Sequence, residues 1–355
     1  MIFSKGKNSA ILTVISLFAA VFGSVAAFAE GEAGIISLRS QGHFFVGGET
    51  YEVEGNPNAG PFGAPGVAMQ NQMFVGYQLV ADPQHPYPLV LVHGGGGQAT
   101  DWFSTPDNRD GWRDYFLAAG FDVYWIDRPG FGRSPTNSSY GELGPNTSSG
   151  LIKFLSASDF WPGDLDDMYD ESLLNWLASS PPGPAASNDI AGSRLGLLLD
   201  RIGPAIVITH SAGGATGWLG NEASPDNVAG IIAIEAVGSN MLAEDSRGGM
   251  TFSPALPADF SGVEDADGCL MQAQGSVSEL SNLTAKPVVL VGSDRGLTQA
   301  LGLDCATKVL NQAGVDADFV YLPDLGFVGN GHFMMADTNS GEIAEVIIDI
   351  ATNME

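Results

Sequence analysis

Residues Ile206-Val207-Ile208-Thr209 run without a break into His210-Ser211-Ala212-Gly213-Gly214. β-favouring residues thus lead into a serine flanked by small ones, and a helical stretch from Ala215 to Asn221 follows. Such a run predicts a strand that ends, a sharp turn, and a helix packed closely behind it, with a serine Oγ held at the top of a sheet. Of the pattern G-x-S-x-G, Gly213 is in place, whereas Thr209 stands at the first glycine. An ordinary strand-to-helix turn reads the same way, so the rest of the chain decides.

The surroundings repeat the theme. Short apolar runs, Pro88–Val92, Phe121–Ile126, Val228–Ile234, Pro287–Gly292 and Asp318–Leu322, are bounded by turn residues, as buried strands are. Helical patterns lie between or beside them: Gly111–Ala119, Leu165–Leu177, Ser187–Ile202, Leu297–Ala313 and Gly341–Met354. Leu195, Leu198, Leu199 and Ile202 share one face of the third. Two further β-rich segments, Gly34–Val46 and Met73–Val80, precede the first run across a Gly/Pro/Asn-rich loop, Gly55–Gly66. Strands alternating with helices predict an α/β fold, a mostly parallel central sheet with helices on both faces. Thr136–Gly150 is polar and aperiodic and reads as a loop; residues 236–285 form a long excursion with Pro254 and Pro257 that reads as a cap or lid insertion.

In parallel sheets ligands gather at the carboxyl ends of the strands. Here those ends carry His93-Gly94-Gly95-Gly96-Gly97, Ser211, Glu235, Asp294 and, after the last strand, His332. A serine hydroxyl needs a base, and the base needs an acid to orient it. His332 is the candidate base. The acid is Glu235, which closes the apolar run Ile231–Ile234, or Asp294, which follows the next strand. An acid ending such a run would be costly unless paired, which favours Glu235. Asp294 could instead pair with Arg295 or cap a helix. The glycines after His93 let backbone N–H groups approach a developing oxyanion; Gly95, then Gly96, together with Ala212, are the candidate donors. Trp102, Phe103 and Phe327 are candidate walls of a substrate pocket.

Composition bounds the partners. Lys5 and Lys7 precede a largely apolar stretch, Ala10 to Gly23, and then Ala27-Phe28-Ala29, so residues 1–29 read as a secretory signal peptide and residues 30–355 as one domain. Removing them takes the formal charge from −27 to −29. Such a surface argues against nucleic acid and anionic lipid as partners. The expected location is periplasmic or secreted, with no membrane attachment after cleavage and room for a homodimer. Cys269 and Cys305, an even pair in an exported chain, suggest one disulfide; the alternative is two buried thiols. Neither has metal-ligand spacing. The acidic stretches 163–167 and 264–268 lack the full spacing of a calcium loop and read as solvated faces.

From about Gly34 onward the chain resembles the α/β-hydrolase superfamily. The residues concerned are His93-Gly94 with Trp102 and Thr105-Pro106-Asp107-Asn108-Arg109-Asp110-Gly111-Trp112, then Ile126-Asp127-Arg128-Pro129-Gly130-Phe131-Gly132-Arg133-Ser134, Thr209-His210-Ser211 with Gly213-Gly214, and Gly331-His332. Within the superfamily it is similar to exported bacterial carboxylesterases whose acid is a glutamate after the strand that follows the serine turn. The resemblance implies Ser211 as nucleophile, His332 as base, Glu235 as acid, and Gly95 and Ala212 as the oxyanion hole. It implies a small-molecule ester substrate and no cofactor or metal. The same residues could serve a lactone, an amide or a carbon–carbon bond, or a non-catalytic binding protein could use the scaffold.

Overall fold

The computed structural model describes residues 33–247, 249–284 and 286–355. The signal-peptide segment 1–29 lies outside them. Eight strands form the central sheet: β1 (Leu38–Val53), β2 (Gly66–Val80), β3 (Leu89–Val92), β4 (Val123–Asp127), β5 (Ala205–His210), β6 (Val228–Ile234), β7 (Pro287–Gly292) and β8 (Asp316–Tyr321). Their order is β1-β2-β4-β3-β5-β6-β7-β8. β3 to β8 are parallel; β1 and β2 form an antiparallel hairpin whose second strand runs antiparallel to β4.

The strands are apolar on both sides because both faces are covered. Val90, Val92, Val207, Ile231, Ala233 and Leu290 face one core; Leu89, Leu91, Ile206, Ile208, Ile232 and Ile234 face the other. The first core is closed by α4 (Asn188–Ile202) and α5 (Gly213–Ala223), and by α6 (Leu303–Gln312). The second is closed by α1 (Trp112–Ala118) and α7 (Ser340–Thr352). Two more helices, α2 (Ser148–Leu155) and α3 (Glu171–Ser179), lie between β4 and α4.

Most predicted elements stand where expected. Ser187 caps α4 by accepting from Ile190 N–H, and Leu195, Leu198 and Leu199 are fully buried. Four differences have clear local causes. α3 begins six residues later than its apolar pattern because Asp170 caps it at Leu173 N–H. α2 grows out of the segment read as loop, capped by Thr147. The helix expected over Leu297–Ala313 breaks at Gly302, which takes φ 58°. β1 and β2 run well beyond their apolar segments because they pair with each other along nearly their whole length.

The excursion 236–285 packs Ala236, Met241, Leu242, Phe252, Leu280 and Leu283 into the first core and carries two short antiparallel ladders, 252–253 with 279–280 and 263–264 with 270–271. Cys269 and Cys305 form a disulfide that ties it to α6. The bridge spans 36 residues, and closing a loop of that size removes unfolded-chain entropy worth about 3–4 kcal/mol. Of the two acidic stretches, Asp265 is paired with Lys308 and accepts from Cys269 N–H, while Asp164 and Asp170 accept from backbone N–H groups of their own loop.

Candidate active site

β5 delivers Ser211 in a backbone conformation that side chains rarely adopt, φ 51°. The turn is held from both sides. Ser211 N–H donates to Ile234 O at 3.1 Å, and Ser211 O accepts from Val237 N–H and Gly214 N–H at 2.8 and 2.9 Å. The exit of β6 is thereby pinned to the exit of β5. Glu235, at that exit, is itself at φ 40°. Two non-glycine residues in the left-handed region cost of order 1–3 kcal/mol each, and such strain collects at functional sites.

Helix α5 follows the turn with glycines wherever it meets a neighbour. A Cβ at Gly213 would lie 2.5 Å from His93 O, and one at Gly214 would lie 2.5 Å from Val237 O. A Cβ at Gly217 would lie 2.4 Å from Thr209 Cγ2. The bulk at Thr209, where the usual pattern has glycine, is therefore absorbed by a glycine in the opposing helix.

The loop after β3 lies against the serine turn. Cβ atoms built on Gly94 and Gly95 would approach Ser211 Cβ and Ala212 Cβ to 3.1 and 3.3 Å. Gly96 sits under the Asn146 side chain, whose amide donates to Gly96 O at 3.4 Å and to Pro181 O at 3.0 Å. Side chains at Gly94 and Gly95 would fill the approach to Ser211, so their backbone N–H groups can come near a bound carbonyl.

His332 Nδ1 is 2.6 Å from Glu235 Oε2, and the glutamate is fully buried. The same carboxylate accepts from Ser293 N–H (3.1 Å), Ser293 Oγ (2.8 Å), Leu297 N–H (2.8 Å) and Thr298 Oγ1 (2.8 Å). Burial alone would raise its pKa, but the His332 bond and these donors outweigh it and hold the carboxyl below its ordinary range. An ionised carboxylate only accepts, so Nδ1 of His332 carries the proton of this bond, and Nε2 is the nitrogen left to serve as base.

The turn after β7, where Asp294 sits, is thus the cradle of Glu235. Asp294 points elsewhere: it accepts from Gly329 N–H at 2.9 Å and lies 3.7 Å from Arg295 Nε. Gly296 belongs to the cradle in a way that spacing could not reveal. A Cβ there would lie 2.1 and 2.2 Å from the two Glu235 oxygens. Gly296→Ala is therefore expected to push the carboxylate off His332 and lower kcat about tenfold or more, with little change in KM. Steady-state kinetics beside a thermal melt check this; wild-type kcat would contradict it.

The two histidines nearest the site, His210 and His93, have structural places. His210 Nε2–H donates to His332 O at 2.9 Å, and the two rings lie 4.6 Å apart. Burial above all pushes His210 down to about 3, so it is neutral. His93 is fully buried, accepts Arg128 N–H at Nε2 (3.0 Å), and donates from Nδ1 to Gly94 O (2.8 Å).

The rings set against His332 are Phe154 of α2 and Phe333, at 6.2 and 5.1 Å, with Trp176 of α3 behind Phe333. Of the candidate walls, Trp102 is fully buried against Trp112, Phe103 packs edge-on to Trp125 beneath Arg113, and Phe327 packs on the second core.

Residues 87–260 match the family model described as the alpha/beta hydrolase fold. The chain is similar to a protein named "Probable secreted lipase phiG" from Fungal sp. (strain ATCC 74256), 30% identical over 314 residues that span 78% of this chain and 84% of that one. Among solved structures it is similar to one described as a novel bacterial esterase, with a TM-score of 0.70, 23% identity, and coverage of 91% of this chain and 98% of the other. The latter likeness is one of fold. The fungal relative, alike along most of both chains, carries the stronger statement: this protein belongs to the α/β-hydrolase family.

Proposed function

We propose that the chain is an exported serine hydrolase that cleaves carboxylic esters through an acyl-enzyme on Ser211. The observation that carries this reading is the buried Glu235–His332 pair, whose imidazole lies 4.6 Å from the ring of His210, the neighbour of a serine held at a left-handed strand end. His332 Nε2 takes the Ser211 proton as Oγ bonds to the ester carbonyl carbon. The oxygen, now an anion, accepts from Gly95 N–H and Ala212 N–H, with Gly96 as a further donor. Collapse breaks the bond to the alcohol oxygen, which takes the proton from His332. Water, deprotonated by His332, then attacks the acyl carbon and releases the acid and Ser211. Glu235 stays ionised and stabilises the imidazolium in both halves.

Membership of the α/β-hydrolase family supports a hydrolase of the esterase or lipase kind, as do the names of the two relatives. The secreted label of one relative, the Cys269–Cys305 disulfide and the leader-like 1–29 segment support export to the periplasm or beyond. Phe154, Phe333 and Trp176 near the base suit an apolar acyl or alcohol part, and the formal charge of −27 disfavours anionic substrates. The test is a screen of the mature protein on neutral p-nitrophenyl esters graded by acyl length, beside matched lactones and anilides. Turnover of the esters is expected. Turnover of a lactone or an anilide alone would replace this reading with the same residues acting on that bond.

A further inference from the structure

Arg128 follows β4 and is 5% exposed. It stacks on Phe131, 4.6 Å from the ring centroid, and its Nη2 donates to Gly94 O at 2.7 Å, while Nη1 lies 3.5 Å from Ala212 O. Among the described residues no carboxylate pairs directly with it. Burial lowers it to about 10, so it stays charged at neutral pH. Asp101, whose charge acts on it from nearby, is pushed up to about 7, chiefly by its own burial, and offsets it only in part. A guanidinium buried on two carbonyls and a ring, with no carboxylate paired to it, is costly and calls for a physical account.

The geometry of the peptide supplies one. Gly94 C=O and Gly95 N–H belong to a single planar trans unit and point opposite ways. With the oxygen held by Arg128 Nη2 and His93 Nδ1, the Gly95 N–H is held as well. A cation on the carbonyl also draws electron density through the amide and makes its N–H a stronger donor. The second contact reaches the residue whose N–H is the other candidate donor.

We propose that Arg128 is a positioning residue of the oxyanion site, orienting and polarising the Gly95 N–H and setting a fixed positive charge behind the developing anion. The proposal rests on Gly95 and Ala212 being the donors in an acyl-enzyme mechanism. A plain strut would support every ligand alike; a polarised donor favours only the anionic state.

The test compares wild type, Arg128→Met and Arg128→Lys, each normalised by fluorophosphonate labelling of Ser211. Three readouts serve: kcat and KM on p-nitrophenyl butyrate, inhibition by an alkyl trifluoromethyl ketone, which adds the serine to form an oxyanion, and inhibition by the matched methyl ketone. Arg128→Met is expected to lower kcat about 10- to 100-fold with KM nearly unchanged, and to weaken the trifluoromethyl ketone by a similar factor but not the methyl ketone. Arg128→Lys, which keeps the charge but cannot span both carbonyls, should lose about 3- to 10-fold in the same two measures. It also serves if the methionine variant does not fold. Equal loss of both ketones, or wild-type values in the lysine variant, overturns the proposal while leaving the acyl-enzyme intact. Failure of wild type to take the trifluoromethyl ketone or the fluorophosphonate overturns the acyl-enzyme reading, and the proposal with it.

Discussion

Ser211→Ala is expected to lower kcat on p-nitrophenyl butyrate by about 10⁴-fold or more, with KM little changed and the thermal melt essentially unaltered. The substitution removes one oxygen. Its backbone anchors to Ile234, Val237 and Gly214 are main-chain bonds and survive. The left-handed strain at position 211 is equally available to alanine, so the fold has no reason to move. What remains is the binding site and the oxyanion donors, which alone give only a residual rate over water. Loss of fluorophosphonate labelling in the same variant ties the effect to the serine. Activity that persisted after re-purification would remove Ser211 from the mechanism.

The second large effect separates two acids. Glu235→Gln is expected to cost about 10³–10⁴ in kcat, and Asp294→Asn less than about threefold. The glutamate meets His332 at 2.6 Å and four further donors surround it, whereas Asp294 serves Gly329 N–H and Arg295. A neutral amide cannot satisfy donors on every side, nor can it hold the Nδ1–H tautomer against a charge developing on the ring. Stability should follow the same carboxylate. Its pKa is lower in the fold than in the unfolded chain. Its stabilisation is therefore full above the ordinary carboxylate value and is lost as the pH falls through the depressed one. Acid denaturation monitored by circular dichroism should begin at higher pH in Glu235→Gln than in Asp294→Asn. The reverse pattern of kinetic losses would move the acid to β7.

These two acids also illustrate what the chain reveals before it is folded. β6 and β7 were legible to the residue, because apolar runs this short, rich in β-branched residues and bounded by turn residues, fit a strand better than a helix. That Glu235 ends such a run was already an argument for a partner. An even pair of cysteines behind a leader-like segment suggests the Cys269–Cys305 disulfide, which the fold forms in preference to two buried thiols. The cradle around Glu235 was not legible. Ser293, Gly296, Leu297 and Thr298 look like an ordinary turn until β6 and β7 lie side by side. The rings near His332 were hidden for the same reason. Phe154 is 46% exposed on a short helix just past a polar stretch, and its relation to a histidine far along the chain is tertiary. Trp102 and Phe103 sit close in sequence to the glycine loop, but size and apolarity took them into the core. Arg128 stands in the sequence only as one member of the Ile126–Ser134 motif, and nothing in its neighbours announces a guanidinium turned onto two carbonyls.

The helix behind Ser211 has a consequence of another kind. Gly213, Gly214, Gly217 and Gly220 let α5 lie flush against the end of β3, Val237, Thr209 and Leu195. Four glycines in an eleven-residue helix also forfeit about 4 kcal/mol of intrinsic helix preference relative to alanine. Such a segment has no helical life of its own in water. It is held by neighbours drawn from sequence positions as far apart as 92 and 286, so its last requirement is met when the whole sheet has assembled. A nascent or unravelled chain therefore carries every reactive residue and none of their arrangement: competence arrives in one step, as a property of the finished domain.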